Sequence, residues 1–373
     1  MIKSEFKHLD ALRGIMAMYV SFVHFGVLYI INKHAEMKFD TLNYFGAIQL
    51  GQVFMTVFFV LSGFLITYIL LVDKERDKTV HFKKFYLRRA FRILPLYYIA
   101  VFGIFFLYRH ACLKPDVTIV PLCNDLHERT LYYIFMLPNW AHAVDKTLPH
   151  ISNYWSIGAE EQFYILWPII LYFSKNYLKV FFSIYVVYCL ALIVVYVFRL
   201  SFMENLLFIQ SARFLDYTRF GAFAFGGIIA YYALHHADTV YKTTIELITR
   251  KSTQYFCLLF PFILTIIPNE YVAFLKHIIV IPCSAVIIYN LAMNENVIFK
   301  IDNRYLNYLG KITYSLYILN QIIIDFAIKI CFAAKIHEKL IIFIFSMTAL
   351  LICSVISYHL IEKPFMKLRR RFG

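Results

Sequence analysis

The sequence predicts an all-α fold, a polytopic membrane bundle of about ten transmembrane helices with both termini cytoplasmic. Composition is the first reason. Of 373 residues, 61% are hydrophobic, and 38 Phe and 29 Tyr raise the aromatic share to 19%. Only 16% are charged, against about 25% in an average soluble domain, so the chain has too little polar surface to cover a water-soluble globule. The second reason is that apolar residues come in repeated runs about as long as a bilayer is thick. The third is where the formal charge of +14 resides: Lys and Arg gather in short loops between the runs, which is a topology signal and not a nucleic-acid footprint.

Ten spans are expected, at 8–31, 51–72, 93–108, 154–173, 180–200, 213–234, 253–268, 271–293, 312–334 and 340–360. The termini and the loops on their side of the membrane carry 23 Lys and Arg, and the opposite loops carry 8. That asymmetry puts both termini in the cytoplasm. The first run is long, contains Arg13 and has no small-residue cleavage site behind it, so it is expected to stay as a span. No repeat, low-complexity linker or second soluble domain is apparent, and residues 1–373 read as one transmembrane domain.

The longest connection, 109–153, lies on the non-cytoplasmic side and holds Cys112, Cys123 and Trp140. Its apolar stretch 131–138 is too short to span, and it either dips into the membrane or caps the bundle. A Cys112–Cys123 disulfide would suit an oxidising compartment, and sequence alone leaves that pairing open. The other five cysteines fall in apolar runs and read as small packing residues.

Chemistry is concentrated in the first span, HLDALRGIMAMYVSFVHF. Asp10, Arg13, Gly14, Ala17, Ser21 and His24 recur there at three- or four-residue steps, which lines them along one helix face. Ionisable groups are costly in a bilayer, so this face should look into the bundle or a wet cavity. Arg13 and His24 are separated by about three turns, roughly 16 Å. Arg13 would lie near the cytoplasmic boundary and His24 in the outer half, an arrangement suited to a donor with phosphates at one end and a thioester at the other. Taken singly, Asp10–Arg13 reads as a structural ion pair and His24 as a core histidine; the whole stripe favours function.

The fourth span starts YWSIGAEEQFYILWP and runs inward, which puts Glu160 about 9 Å below the outer surface. His24 comes out at a similar depth, so the two are expected to meet, with the carboxylate orienting a histidine general base. Glu161 points about 100° away. Tyr154 and Trp155 read singly as interfacial anchors. In HFKKFYLRRAFRILPLYY, Arg89 and Arg92 are one turn apart and would hold a phosphate, the alternative being an anchor on anionic lipid.

Phe58, Phe59, Ser62 and Gly63 read as a close helix-packing patch. Asp325 with Lys329, and Asp216 with Arg219, read as neutralising pairs; Lys276 and His277 receive no role. There is no HExxH, paired CxxC or calcium-type loop, so no metal is expected, and no Gly-rich nucleotide loop is present.

Six segments resemble, in order, the motifs of the acyltransferase-3 family of membrane acyltransferases: LDALRG with Arg13 and His24, FFVLSGFL, FYLRRAFRILPLYY, WSIGAEEQFYILWP, LGKITYSLYIL and SYHLIEKPF. The resemblance implies ten core helices in a bacterial inner membrane. It also implies a cytoplasmic acyl-CoA donor, here acetyl-CoA as co-substrate, and an acceptor reached from the other side. That acceptor would be a glycan or glycolipid hydroxyl, as in lipopolysaccharide O-antigen or capsule. Arg13, His24, Arg89, Arg92 and Glu160 then belong to the functional set: His24, Glu160 and Asp10 catalytic, Arg13, Arg89 and Arg92 on the donor. Trp155, Ser156, Glu161 and Asn320 are expected to bind the acceptor. Many members carry histidine where this chain has Asn320, which cannot shuttle protons near neutral pH, so the base is expected to be His24. Some members continue into a soluble esterase-like domain, and this chain, ending at Gly373, is expected to act alone. The competing class is a transporter or flippase of a lipid-linked glycan, which broken helices and pseudo-symmetric halves would favour.

Overall fold

The computed structural model describes residues 6–33, 41–113, 120–198, 201–202, 204–266 and 269–368. The basic C-terminal residues 369–371 that enter the charge count lie outside them. Among the described residues every regular element is helical, and the chain is an integral membrane protein. The main helices are α1 Lys7–Asn32, α2 Thr41–Asp77, α3 Phe82–Ala111, α4 Trp155–Phe173, α5 Tyr177–Phe198, α6 Leu206–Thr218, α7 Phe220–Leu234, α8 Lys251–Ile266, α9 Asn269–Met293, α10 Thr313–Ala333 and α11 Lys339–Ser357.

Seven stretches among the described residues are long and apolar enough to cross a bilayer: His8–Asn32, Ile48–Asp77, Phe82–Ala111, Tyr177–Phe198, Lys276–Met293, Thr313–Ala333 and Lys339–Leu368. Each of the other three expected spans differs for a visible reason. Glu160, Glu161 and Gln162 make α4 polar; α8 has 16 residues; and the span expected at 213–234 is two helices, broken at Arg219 with φ 48°. The segment Phe82–Arg92 is not a separate surface anchor. It is the start of α3, which continues through Pro95.

Two compact units result, residues 1–16, 39–81 and 163–311 in the first and 17–38, 82–162 and 312–373 in the second. In the first, α2 and α7 approach backbone to backbone. A Cβ on Gly63 would meet the Phe223 backbone, and one on Gly226 would meet the Val60 carbonyl, so FFVLSGFL is a packing motif, as its small residues imply. The Trp167 indole donates to Thr67 at 2.7 Å and its ring stacks on Phe181, while Phe163 stacks on Phe223. The opposite flank of α5 is exposed at Phe182, Val187, Val194 and Val197, as expected where lipid is the solvent.

The second unit contains the long connection. Residues 131–138 do not form a spanning element: they lie in and between short helices, Leu126–Ile134 and Pro138–Ala143. This cap is tied to α3 by the Tyr97 and Tyr98 hydroxyls, which donate to the carbonyls of Tyr133 and Ile134 at 2.9 and 3.0 Å. Asp125 accepts from Arg129 and Lys146, both at 2.7 Å. Arg129, and after it Lys146, hold the Asp125 carboxyl below the ordinary carboxylate range. Cys112 and Cys123 form a disulfide, and the other five cysteines are reduced and at least half-buried.

Candidate active site

In the second unit, His24 sits in the C-terminal half of α1 with Nδ1 buried and without a hydrogen-bond partner. Its side chain lies beside Asn320 of α10. Asn320 is fully buried, and its Oδ1 accepts from Asn153 Nδ2 at 3.2 Å. Asn153 also donates to the Tyr317 carbonyl, and its own carbonyl accepts from the Tyr317 hydroxyl at 2.8 Å. The Ser156 hydroxyl closes the set, 2.5 Å from the Tyr317 hydroxyl. His24, Asn320, Asn153, Tyr317 and Ser156 thus form one buried polar network, and such networks are rigid where satisfied and costly where not. Three polar atoms in it are unsatisfied: His24 Nδ1, Asn153 Oδ1 and Asn320 Nδ2.

Glu160 and Glu161 lie near the start of α4. The start of α4 is rotationally fixed by two contacts: Gly158 abuts Pro138 and Asn139, and Gln162 exchanges a pair of amide hydrogen bonds with Asn139 at 2.9 and 3.0 Å. Glu161 has a buried, unpartnered Oε1 and lies within Coulomb reach of Glu160 and of Arg89 on α3. Arg89 also lies over the Phe85 ring, 5.8 Å from its centroid. Arg92, one turn on, faces the buried Glu362, which accepts from Ser315. Each arginine of the Arg-x-x-Arg pair therefore has a carboxylate near it. Tyr154 and Trp155 are buried and not interfacial; the Tyr154 hydroxyl donates to the Ile318 carbonyl at 3.0 Å.

In the first unit, Arg13 contacts Asp10 at 3.7 Å with both side chains partly exposed. Gly14 is there for contact: its added Cβ would lie 2.8 Å from the Leu306 carbonyl, and one on Gly310 would strike the Asp10 carbonyl. Ser21, in the second unit, is buried and bonds back to the Ala17 carbonyl at 2.9 Å, a helix-internal use.

Several polar residues near the site carried no assignment in the sequence. Glu362 lies in SYHLIEKPF, where the chain makes a five-residue π-helical turn, Tyr358–Glu362; such turns recur at functional sites. Asn153 lies two residues before WSIGAEEQFYILWP, and Tyr317 lies within LGKITYSLYIL. His150 has no motif around it, yet its Nε2 is 2.6 Å from Asp325 and its Nδ1 is 2.5 Å from the Tyr108 hydroxyl. Asp325 also pairs with Lys329 at 2.7 Å, as the spacing predicts, and accepts from Asn32 at 2.7 Å. Among the described residues no His, Cys, Asp and Glu group of metal-binding geometry is present.

Comparison with known proteins adds the family context. A family model described as an acyltransferase domain matches residues 6–359. The peptidoglycan O-acetyltransferase OatA of Listeria monocytogenes is 30% identical over 131 residues, 35% of this chain and 21% of that protein. The O-acetyltransferase OatA of Staphylococcus aureus strain NCTC 8325 is 26% identical over 182 residues, 46% of this chain and 26% of that protein. The matched region thus spans about a quarter or less of those relatives. No solved structure matches the chain significantly.

Proposed function

The chain belongs to the acyltransferase-3 family, whose model covers residues 6–359, and from that membership we propose that it is a membrane O-acetyltransferase of a cell-envelope glycan. The observation that carries the reading at the level of chemistry is His24: a half-buried imidazole beside Asn320 whose Nδ1 is buried and unpartnered. Such a ring can accept a proton from a hydroxyl brought against Nδ1. Acetyl-CoA is the proposed donor, entering from the cytoplasmic side with its phosphates on Arg89 and Arg92, whose planar forks suit phosphate oxygens. Arg13 is proposed to assist, since its contact with Asp10 is long and partly exposed.

In the proposed reaction the acceptor hydroxyl oxygen attacks the thioester carbonyl carbon. A C–O ester bond forms, the C–S bond breaks, and the hydroxyl proton passes by way of His24 to the departing CoA thiolate. Transfer is direct or proceeds through a short-lived acyl-enzyme. Asn320 and Asn153 orient the ring, a task an amide performs without titrating. Glu161, Ser156 and Trp155 are proposed to contact the sugar. The names of the two relatives make peptidoglycan the first acceptor to assay, followed by lipopolysaccharide and capsular glycans, and a bacterial plasma membrane is the proposed location.

The test uses membranes containing the full chain, acetyl-CoA labelled in its acetyl group, and each glycan in turn. Label should appear on the glycan with the wild type. With His24→Ala it should fall by about a hundredfold or more, the usual scale for losing a general base. Unchanged transfer with His24→Ala would remove that residue from the mechanism, and absence of both labelled glycan and released CoA would overturn the activity.

A further inference from the structure

The first unit contains a second polar site, well separated in sequence from the motifs that name the family. A cavity of about 360 Å³ is lined by Gln49, Gln52 and Thr56 of α2, Asp216 at the end of α6, Arg219 at the break, and Lys276 and His277 of α9. These residues of α2 and α9 lie in the helix halves, and Asp216 and Arg219 at the break, that the loop charges assign to the non-cytoplasmic side.

Its charge content is unusual for a bilayer-embedded bundle. Arg219 is 1% exposed and Lys276 is 8% exposed, and neither can be buried cheaply. The Arg219 guanidinium donates to neutral acceptors: the Gln52 carbonyl and Oε1, Thr56 Oγ1 and the Asp216 carbonyl. Lys276 Nζ donates to Gln49 Oε1 at 2.9 Å. Among the described lining residues Asp216 is the one carboxylate, and its close partner is His277 at 2.9 Å, with Arg219 at 3.9 Å. The expected neutralisation of Arg219 by Asp216 is thus a weak, long contact. Arg219 and Lys276 thus line the same cavity as Asp216.

The backbone is committed to this arrangement as well. Arg219 adopts φ 48° between α6 and α7, a left-handed conformation that costs a non-glycine residue about 1–2 kcal/mol. Breaking the helix there turns the N-terminus of the fifteen-residue α7 toward Arg219 and adds the positive end of its dipole. Interrupted membrane helices are tolerated where the break lines a cavity. Asp216 is 48% exposed and His277 14% exposed, so the cavity opens at the Asp216–His277 edge and is deepest at Arg219 and Lys276.

We propose that this cavity binds an anionic group, a carboxylate or phosphate, arriving from the non-cytoplasmic side, with Lys276 and Arg219 as its cationic floor and the Asp216–His277 pair at its mouth. The group belongs either to an acidic sugar of the acceptor or to the headgroup of an anionic lipid. The glycan O-acetyltransferase reading is used only to choose which sugars are tried, and binding is measured without any acetyl donor, so failure here leaves that reading standing.

The experiment titrates the full chain, in phosphatidylcholine nanodiscs, calorimetrically with glucuronate, with N-acetylglucosamine 1-phosphate and with neutral N-acetylglucosamine; parallel titrations in detergent use short-chain phosphatidylglycerol. Lys276→Gln is the main variant, because Arg219 also holds the helix break and its loss can prevent folding; His277→Gln is the second. The wild type should bind at least one anion about tenfold more tightly than the neutral sugar, and Lys276→Gln should lose about that factor, the value of one charge-assisted hydrogen bond. Binding of the acidic sugars identifies the source as the acceptor, and binding of phosphatidylglycerol alone identifies it as lipid. If no anion binds better than the neutral sugar, or Lys276→Gln and His277→Gln both bind as wild type, the proposal is overturned.

Discussion

Asn320 is the residue at which the family pattern and this chain part. Its amide joins His24 to Asn153, and replacing it by Ala would leave buried donors and acceptors unpaired at a cost of about 1–3 kcal/mol. The expected outcome is a lower melting temperature together with a large drop in acetyl transfer. Asn320→His separates the two effects: it restores a ring at that position, and a mechanism needing only orientation would retain activity but acquire a new ionisation in its pH–rate profile. An unchanged profile would show that this position does not couple to the base. Gly14 tests a different physical term. A methyl added there would meet the Leu306 carbonyl and the Leu309 Cβ, both at 2.8 Å, so Gly14→Ala should destabilise by about 1–3 kcal/mol through overpacking, read as a melting shift in detergent. The glycine of LDALRG is thus explained by contact and the arginine beside it by charge.

The cap over the second unit is the element most open to test. The Cys112–Cys123 disulfide closes a loop with a sequence separation of 11, and loop-closure entropy assigns it about 3 kcal/mol. Reduction, or Cys112→Ser, should therefore increase proteolysis within 120–154 while leaving distant helices protected. Asp125 gives the same element a pH dependence. Its folded pKa is depressed, so its contribution is present above the unfolded value near ~4 and disappears as pH falls through the folded value. Asp125→Asn should melt earlier than wild type at pH 7, and the difference should vanish in strong acid. Sequence alone identified this segment as too short to span, and could not say what held it, because the tyrosines that do so lie about 36 residues upstream on α3. The same limit applies to α4. Helical periodicity gives depth and relative angle along one helix, but the absolute rotation of α4 is set by Asn139 and Pro138, which no periodicity within α4 encodes.

At the scale of the whole molecule, the loop charges predict that a cysteine placed at Lys335 in a cysteine-free background is labelled from outside intact cells by a membrane-impermeant maleimide, and one at Lys300 is not. The reverse pattern would invert the topology and with it the assignment of donor and acceptor sides. What the sequence by itself determined is the membrane class, the helical content and the family. The first two follow from composition and period and the family from the resemblance of its motifs, all of which are local along the chain. Only the tertiary structure decided that Asn320 lies beside His24, that Glu161 faces Arg89, and that one expected span breaks at Arg219 beside a polar cavity. Those outcomes depend on how helices rotate against one another, and side chains distant in sequence choose that rotation by the hydrogen bonds and glycine contacts they make on folding.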